Sequence, residues 1–127
     1  MIHLRQAVVV EGKYDKIRLS ALVDGPILVT NGFRIFKNRE QLALLRRLAR
    51  QDGILILTDS DAAGFKIRNY IKSAVPNGRI YHAYIPEILG KEARKDHPSK
   101  EGTLGVEGMD LQILAAALQK SGVHDMV

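Results

Sequence analysis

The chain contains no cysteine. That single absence removes disulfides, thiolate zinc sites and cysteine nucleophiles together. The four histidines, His3, His82, His97 and His124, are scattered, and none forms the i, i+4 pair that holds a metal on a helix face. A zinc enzyme is therefore not expected. No apolar run approaches the roughly 20 residues that cross a bilayer, and the opening Met1-Ile2-His3-Leu4-Arg5-Gln6 has neither the long apolar region nor the cleavage site of a signal peptide. The simplest expectation is a cytoplasmic protein with no membrane partner. Internal repeats and low-complexity tracts are missing as well.

What is present is enough for one domain: 127 residues, 46% of them hydrophobic, can bury a core without covalent staples. The net charge is +5, which favours an anionic partner without naming one. Its distribution says more. Arg34, Lys37, Arg39, Arg46, Arg47 and Arg50 face only Glu40 in the stretch from 34 to 50, so this one segment accounts for the whole net charge.

The apolar period switches repeatedly between strand and helix. Ala7 to Val10 is a short all-apolar strand, followed by helical spacing from Tyr14 to Val23 that Asp24-Gly25-Pro26 stops with a turn. Pro26 to Thr30 reads as a second strand ending at Asn31-Gly32, a pair suited to positive φ. Asn38 offers an N-cap with Gln41 three residues on, and Leu42, Leu45, Leu48 and Ala49 form the stripe of a helix ending near Gln51-Asp52-Gly53. Ile54 to Leu57 is a third strand, Ala62 to Ala74 the helix after it, and Arg79 to Ile85 a fourth strand. Residues 89–108, rich in charge, Gly and Pro, read as a mobile loop, and Asp110 caps a last helix within 109–122. Alternating strands and helices predict an α/β domain with a mainly parallel four-stranded sheet flanked by helices, its core within residues 1–88.

Ligands of such sheets collect outside the carboxyl ends of the strands. Two strands here stop at carboxylates: Val8-Val9-Val10-Glu11-Gly12 and Ile54-Leu55-Ile56-Leu57-Thr58-Asp59-Ser60-Asp61. In extended backbone, residues i and i+2 point the same way, so Asp59 and Asp61 would share one spot. Two such charges ~4 Å apart repel by about 4 kcal/mol at an effective dielectric of 20, which calls for a cation or a shared proton. Oxygen-only ligands suit Mg²⁺, with Mn²⁺ as a substitute. The competing reading is a helix cap, since the positive end of the next helix begins near Ala62. Glu11, at the sheet rim beside a turn-forming Gly12, could join the metal through water or move a proton. Asp15 fits the role of a first-turn acid better than Glu11 does.

Glu11-Gly12-x-x-Asp15, the Asn31-Gly32 turn, and Asp59-x-Asp61-x-x-Gly64 together resemble the Toprim family, whose fold is a Rossmann-like parallel sheet. Within it, Thr58 to Arg68 and the later Gly105-Val106-Glu107 are similar to the ribosomal RNA maturases of the ribonuclease M-five type. The resemblance implies Mg²⁺ at Asp59 and Asp61, acid–base duty for Glu11, turn roles for Gly12, Gly32 and Gly64, and endoribonucleolytic cleavage of double-stranded or structured RNA. It also brings in a ribosomal or accessory protein as a possible partner. Ala63 stands where single-strand topoisomerases carry a glutamate, and no tyrosine-bearing domain has room here, so topoisomerase activity is not expected. Lys13, Arg34, Lys37, Lys66 and Arg68 are the candidate phosphate contacts; Arg46, Arg47 and Arg50 should be carried to the opposite end of the sheet. Two alternatives stay open. One is an accessory nucleic-acid-binding module that cuts nothing alone; the other is a phospho-acceptor receiver, for which Glu11-Gly12 is a poor acidic pair.

Overall fold

Four runs of aliphatic residues pair side by side, all in parallel, in the computed structural model, which describes residues 1–86 and 105–122. The strands are β2 (Ala7–Val10), β4 (Ile27–Val29), β5 (Ile54–Thr58) and β6 (Ile80–Tyr84), in the spatial order β4-β2-β5-β6. β2 and β5 are central and buried along their whole length. Continuous Val, Ile and Leu runs suit this position, because a parallel sheet is covered on both faces.

Alternation along each strand sorts side chains into two layers. Val8, Val10, Leu55, Leu57 and Ala83 face one side, where they meet Leu19 of α1 (Lys13–Ser20) and Leu114, Ala117 and Leu118 of α4 (Leu111–Lys120). Ala7, Val9, Ile54 and Ile56 face the other, against Leu45 and Ala49 of α2 (Arg39–Gln51) and Ile67 and Ile71 of α3 (Ala62–Ala74). Each fully buried aliphatic side chain contributes about 1.5–3 kcal/mol, so this two-sided core fixes where the strand ends fall.

Helix boundaries follow local chemistry. Asn38 caps α2 by accepting from the Gln41 amide at 3.1 Å, and Asp110 caps α4 through the Gln112 amide at 3.4 Å. α1 ends sooner than the spacing to Val23 suggests. The chain leaves the helix at Ala21 because Val23 and Asp24 form β3, paired in parallel with β1 (Ile2–His3). His3 Nδ1 and Asp24 Oδ2 lie 3.0 Å apart across this pair. Residues 87–104 and 123–127, including most of the expected loop, fall outside the described residues. Residues 105–108, also within that expected loop, form a turn in which Val106 is buried in the α1/α4 layer. Among the described residues no helix is long and apolar enough to cross a membrane.

Candidate active site

The carboxyl ends of β2 and β5 lie next to each other, with Val9 opposite Ile56. Carrying that register forward sets Glu11 opposite Thr58, one residue short of Asp59, with neighbouring strands about 4.8 Å apart. Glu11 is anchored through its backbone. Its carbonyl accepts from the Asn31 amide at 2.9 Å and the Thr30 hydroxyl at 3.4 Å, so the end of β4 pins it. Asn31 and Gly32 take positive φ, 51° and 69°, and turn the chain away at this edge. Gly12 differs: its φ of −138° suits any residue, and it serves as the N-cap of α1, its amide donating to Asp15 Oδ2 at 3.0 Å. Asp15 is thus the first-turn acid.

Asp59 is only partly buried and is held from a distant part of the chain. The Val106 amide donates to its Oδ1 at 2.8 Å. Gly105 packs so closely that a Cβ there would sit 2.5 Å from both carboxylate oxygens. Arg18 on α1 secures this segment by donating from both Nε and Nη2 to the Met109 carbonyl, at 3.2 and 2.9 Å. Gly64 makes a second close approach, since a Cβ on it would fall 2.1 Å from the Asp59 carbonyl oxygen. Ser60 ties the loop to the far strand by donating to the Ile85 carbonyl at 2.7 Å.

Asp61 is the N-cap of α3, its Oδ1 accepting from the Gly64 amide at 2.7 Å. The cap engages one carboxylate oxygen, Oδ1. Among the described residues no three His, Asp or Glu side chains gather tightly enough to make an all-protein metal cage. A hard cation of the Mg²⁺ kind does not need one, because it keeps several waters and binds through one or two carboxylates plus substrate phosphate. By donor chemistry Asp59 and Asp61 fit such an ion.

The basic candidates divide. Lys13 and Lys66 are exposed, their ammonium groups resting 5.2 Å from the Tyr14 ring and 5.6 Å from the Phe33 ring. Arg34 and Lys37 are exposed on a 3-10 turn, Arg34–Lys37, just beyond the end of β4. Arg46 lies at the other end of the sheet, where its Nε donates to the Ala74 carbonyl at 2.8 Å. Arg68 is turned inward. Only 4% exposed, it donates to the carbonyls of Ile56 and Ala83 and contacts His82 Nδ1 at 3.0 Å, which removes it from the phosphate contacts expected of it. Burial lowers its pKa, an effect opposed by the nearby charges of Tyr84 and Glu11. The roles of Gly105, Val106 and Arg18 in building the site were not legible, although Gly105-Val106-Glu107 carries the family resemblance and Arg18 lies in a helical stretch, because their partners Asp59 and Met109 are distant in sequence. Arg68 did carry a signal: Gly64, Ile67, Arg68 and Ile71 follow the i, i+3, i+4, i+7 spacing of an inward helix face.

A four-stranded parallel sheet flanked by helices, with carboxylates following two adjacent strand ends, defines an α/β domain of the Rossmann-like class. The model of the Toprim domain matches residues 6–88, and the chain belongs to that family. It is similar to ribonuclease M5 of Lactiplantibacillus plantarum, 36% identical over 119 residues, and of Bacillus subtilis, 33% identical over 122 residues. These alignments cover 93% and 96% of this chain but 58% and 59% of the relatives, so the chain spans less than two thirds of the curated proteins it matches. A solved structure described as a small TOPRIM domain protein from Bacillus stearothermophilus shares the fold, with a TM-score of 0.57 at 20% identity, covering 99% of this chain and 96% of that one.

Proposed function

We propose that this protein carries out Mg²⁺-dependent phosphodiester hydrolysis on structured RNA, as an endoribonuclease of the ribosomal RNA maturation type. The observation that carries this reading is the adjacency of β2 and β5, which sets Glu11 and Asp59 at one edge of the sheet in a Toprim domain similar to ribonuclease M5. Asp59 and Asp61 would hold the metal, with Mn²⁺ able to replace Mg²⁺. When bound, the ion supplies positive charge against the phosphate as negative charge grows there.

The chain's own residues do the rest. Glu11 moves a proton, as general base toward an attacking water or general acid toward a leaving oxygen. Val106 and Gly105 hold the Asp59 carboxylate in one orientation, which preorganises the site. Lys13, Arg34, Lys37 and Lys66 meet phosphates on either side of the scissile one and position the strand without reading its sequence. The setting is the cytoplasm, with a ribosomal or accessory protein helping to hold the RNA.

A second reading, a binding module that does not cut by itself, is favoured by one fact: among the described residues no three carboxylate or imidazole side chains gather into a metal site. One assay separates the two. Purified protein is incubated with Mg²⁺ and a panel of RNA and DNA duplexes, alongside Glu11→Gln and Asp59→Asn. Cleavage of a structured RNA by the native chain, abolished in both variants, supports the enzyme. Duplex binding without any cleavage supports the accessory module.

A further inference from the structure

Among the described residues β6 lies at one edge of the sheet. Between it and α3 lies an open groove of about 280 Å³, lined by Phe65, Arg68, Asn69, Lys72, His82 and Tyr84. None of the six is acidic. Tyr84 is 59% exposed, which is unusual for a ring held so firmly. Its neighbours explain how it stays in place: the Arg68 guanidinium packs 4.4 Å from the ring centre, and His82 stacks beside it at 5.9 Å with planes 17° apart. A guanidinium can only donate, so His82 Nδ1 accepts from Arg68 and the neutral ring carries its proton on Nε2. Arg68, only 4% exposed, anchors the ring from beneath by donating to the carbonyls of Ile56 and Ala83.

The groove's position is as informative as its lining. Tyr84 pairs with Thr58, the residue before Asp59, and Ser60 is bonded to the carbonyl of Ile85. The groove therefore opens one strand away from the carboxylates, at the same end of the sheet.

We infer that this groove holds one unpaired nucleotide of the RNA strand next to the scissile phosphate, with the base stacked on Tyr84 and the phosphate met by Lys72. An aromatic ring fixed in advance by its neighbours loses little entropy when a base stacks on it, and stacking tolerates any base because every base has a π-face. Phe65, also exposed at 44%, supplies a second apolar wall, and Asn69 offers an amide to the base edge. The site selects substrates in which the duplex is interrupted or frayed beside the cut. This inference rests on the RNA reading above but does not require that the chain cut anything alone.

The test uses a short RNA strand carrying 2-aminopurine, titrated with protein in EDTA so that binding is read without metal or cleavage. The native chain is expected to quench the fluorescence as the base stacks. Tyr84→Ala should bind about tenfold more weakly with the quenching lost, and Tyr84→Phe should keep both. Lys72→Ala should lower affinity and reduce the salt slope by about 1. Unchanged affinity and quenching in Tyr84→Ala, in a variant that melts like the native chain, overturns the inference, as does a native chain that never quenches. Tyr84-dependent quenching in a protein that cleaves no RNA would sink the enzymatic reading and leave this site standing.

Discussion

Val106 donates its amide to Asp59 across 47 positions of sequence, at 2.8 Å, and the glycine before it leaves no room for a side chain. The aspartate at the end of β5 is thus held by a segment that returns to it from beyond β6. Gly105→Ala should push a methyl group against both carboxylate oxygens and displace either the acid or the segment. On the proposed function, RNA cleavage under single-turnover conditions should fall by about a hundredfold, since misplacing a catalytic group by ~1 Å costs that much. Native-like cleavage by this variant would mean that the bracket is unimportant.

Asp61 gives a way to separate structure from chemistry. Removing its cap with Asp61→Ala should cost about 1 kcal/mol in urea unfolding, whereas Asp61→Asn keeps a good cap and should stay close to the native stability. Both should lose metal-dependent cleavage. Had the two aspartates simply repelled each other, both substitutions would raise stability in metal-free buffer; the bond from the Gly64 amide predicts that Asp61→Ala lowers it.

Arg68 is expected to behave as scaffold. Its guanidinium satisfies the carbonyls of Ile56 and Ala83 and braces Tyr84, so Arg68→Ala should lower stability by on the order of 3 kcal/mol. Arg68→Lys should recover little of it, because a single ammonium cannot reproduce the fork. A variant of native stability with weakened RNA binding would instead make Arg68 a phosphate ligand.

His82 predicts a pH dependence. Burial first, then the charges of Arg68 and Lys72, hold its pKa below the usual 6.5, while Tyr84 stacks against it. As pH falls below 6.5 the unfolded chain takes up this proton before the folded one does, so stability declines toward the lower folded value and is fully present above 6.5. Urea midpoints at pH 7.5 and pH 5.5 check this. The native chain should lose more stability over that interval than His82→Gln, whose amide oxygen can still accept from Arg68. Equal losses would assign the acid sensitivity elsewhere.

Much of the architecture was legible because its signals are local. The aliphatic runs of β2 and β5, the Asn38 cap and the span of α3 from Ala62 to Ala74 follow directly from residue type and period. The pairing of β1 with β3 was not, since two residues cannot display a period. The residues that finish the site escaped for a related reason. Val106 reaches Asp59, and Arg18 reaches Met109, through contacts whose partners lie 47 and 91 positions away. Arg68 shows the reverse: its inward helical spacing was present, but a basic side chain after an acidic loop invites a phosphate reading, whereas its guanidinium is buried against the carbonyls of Ile56 and Ala83.

The central claim is that Asp59, at the edge shared with Glu11, holds a divalent cation. Calorimetric titration of Mg²⁺ into the native chain and into Asp59→Asn tests it without reference to any substrate. The native protein should show saturable uptake that the variant lacks, while both melt as folded proteins. Identical heats for the two chains, or no uptake by the native one, would contradict the account.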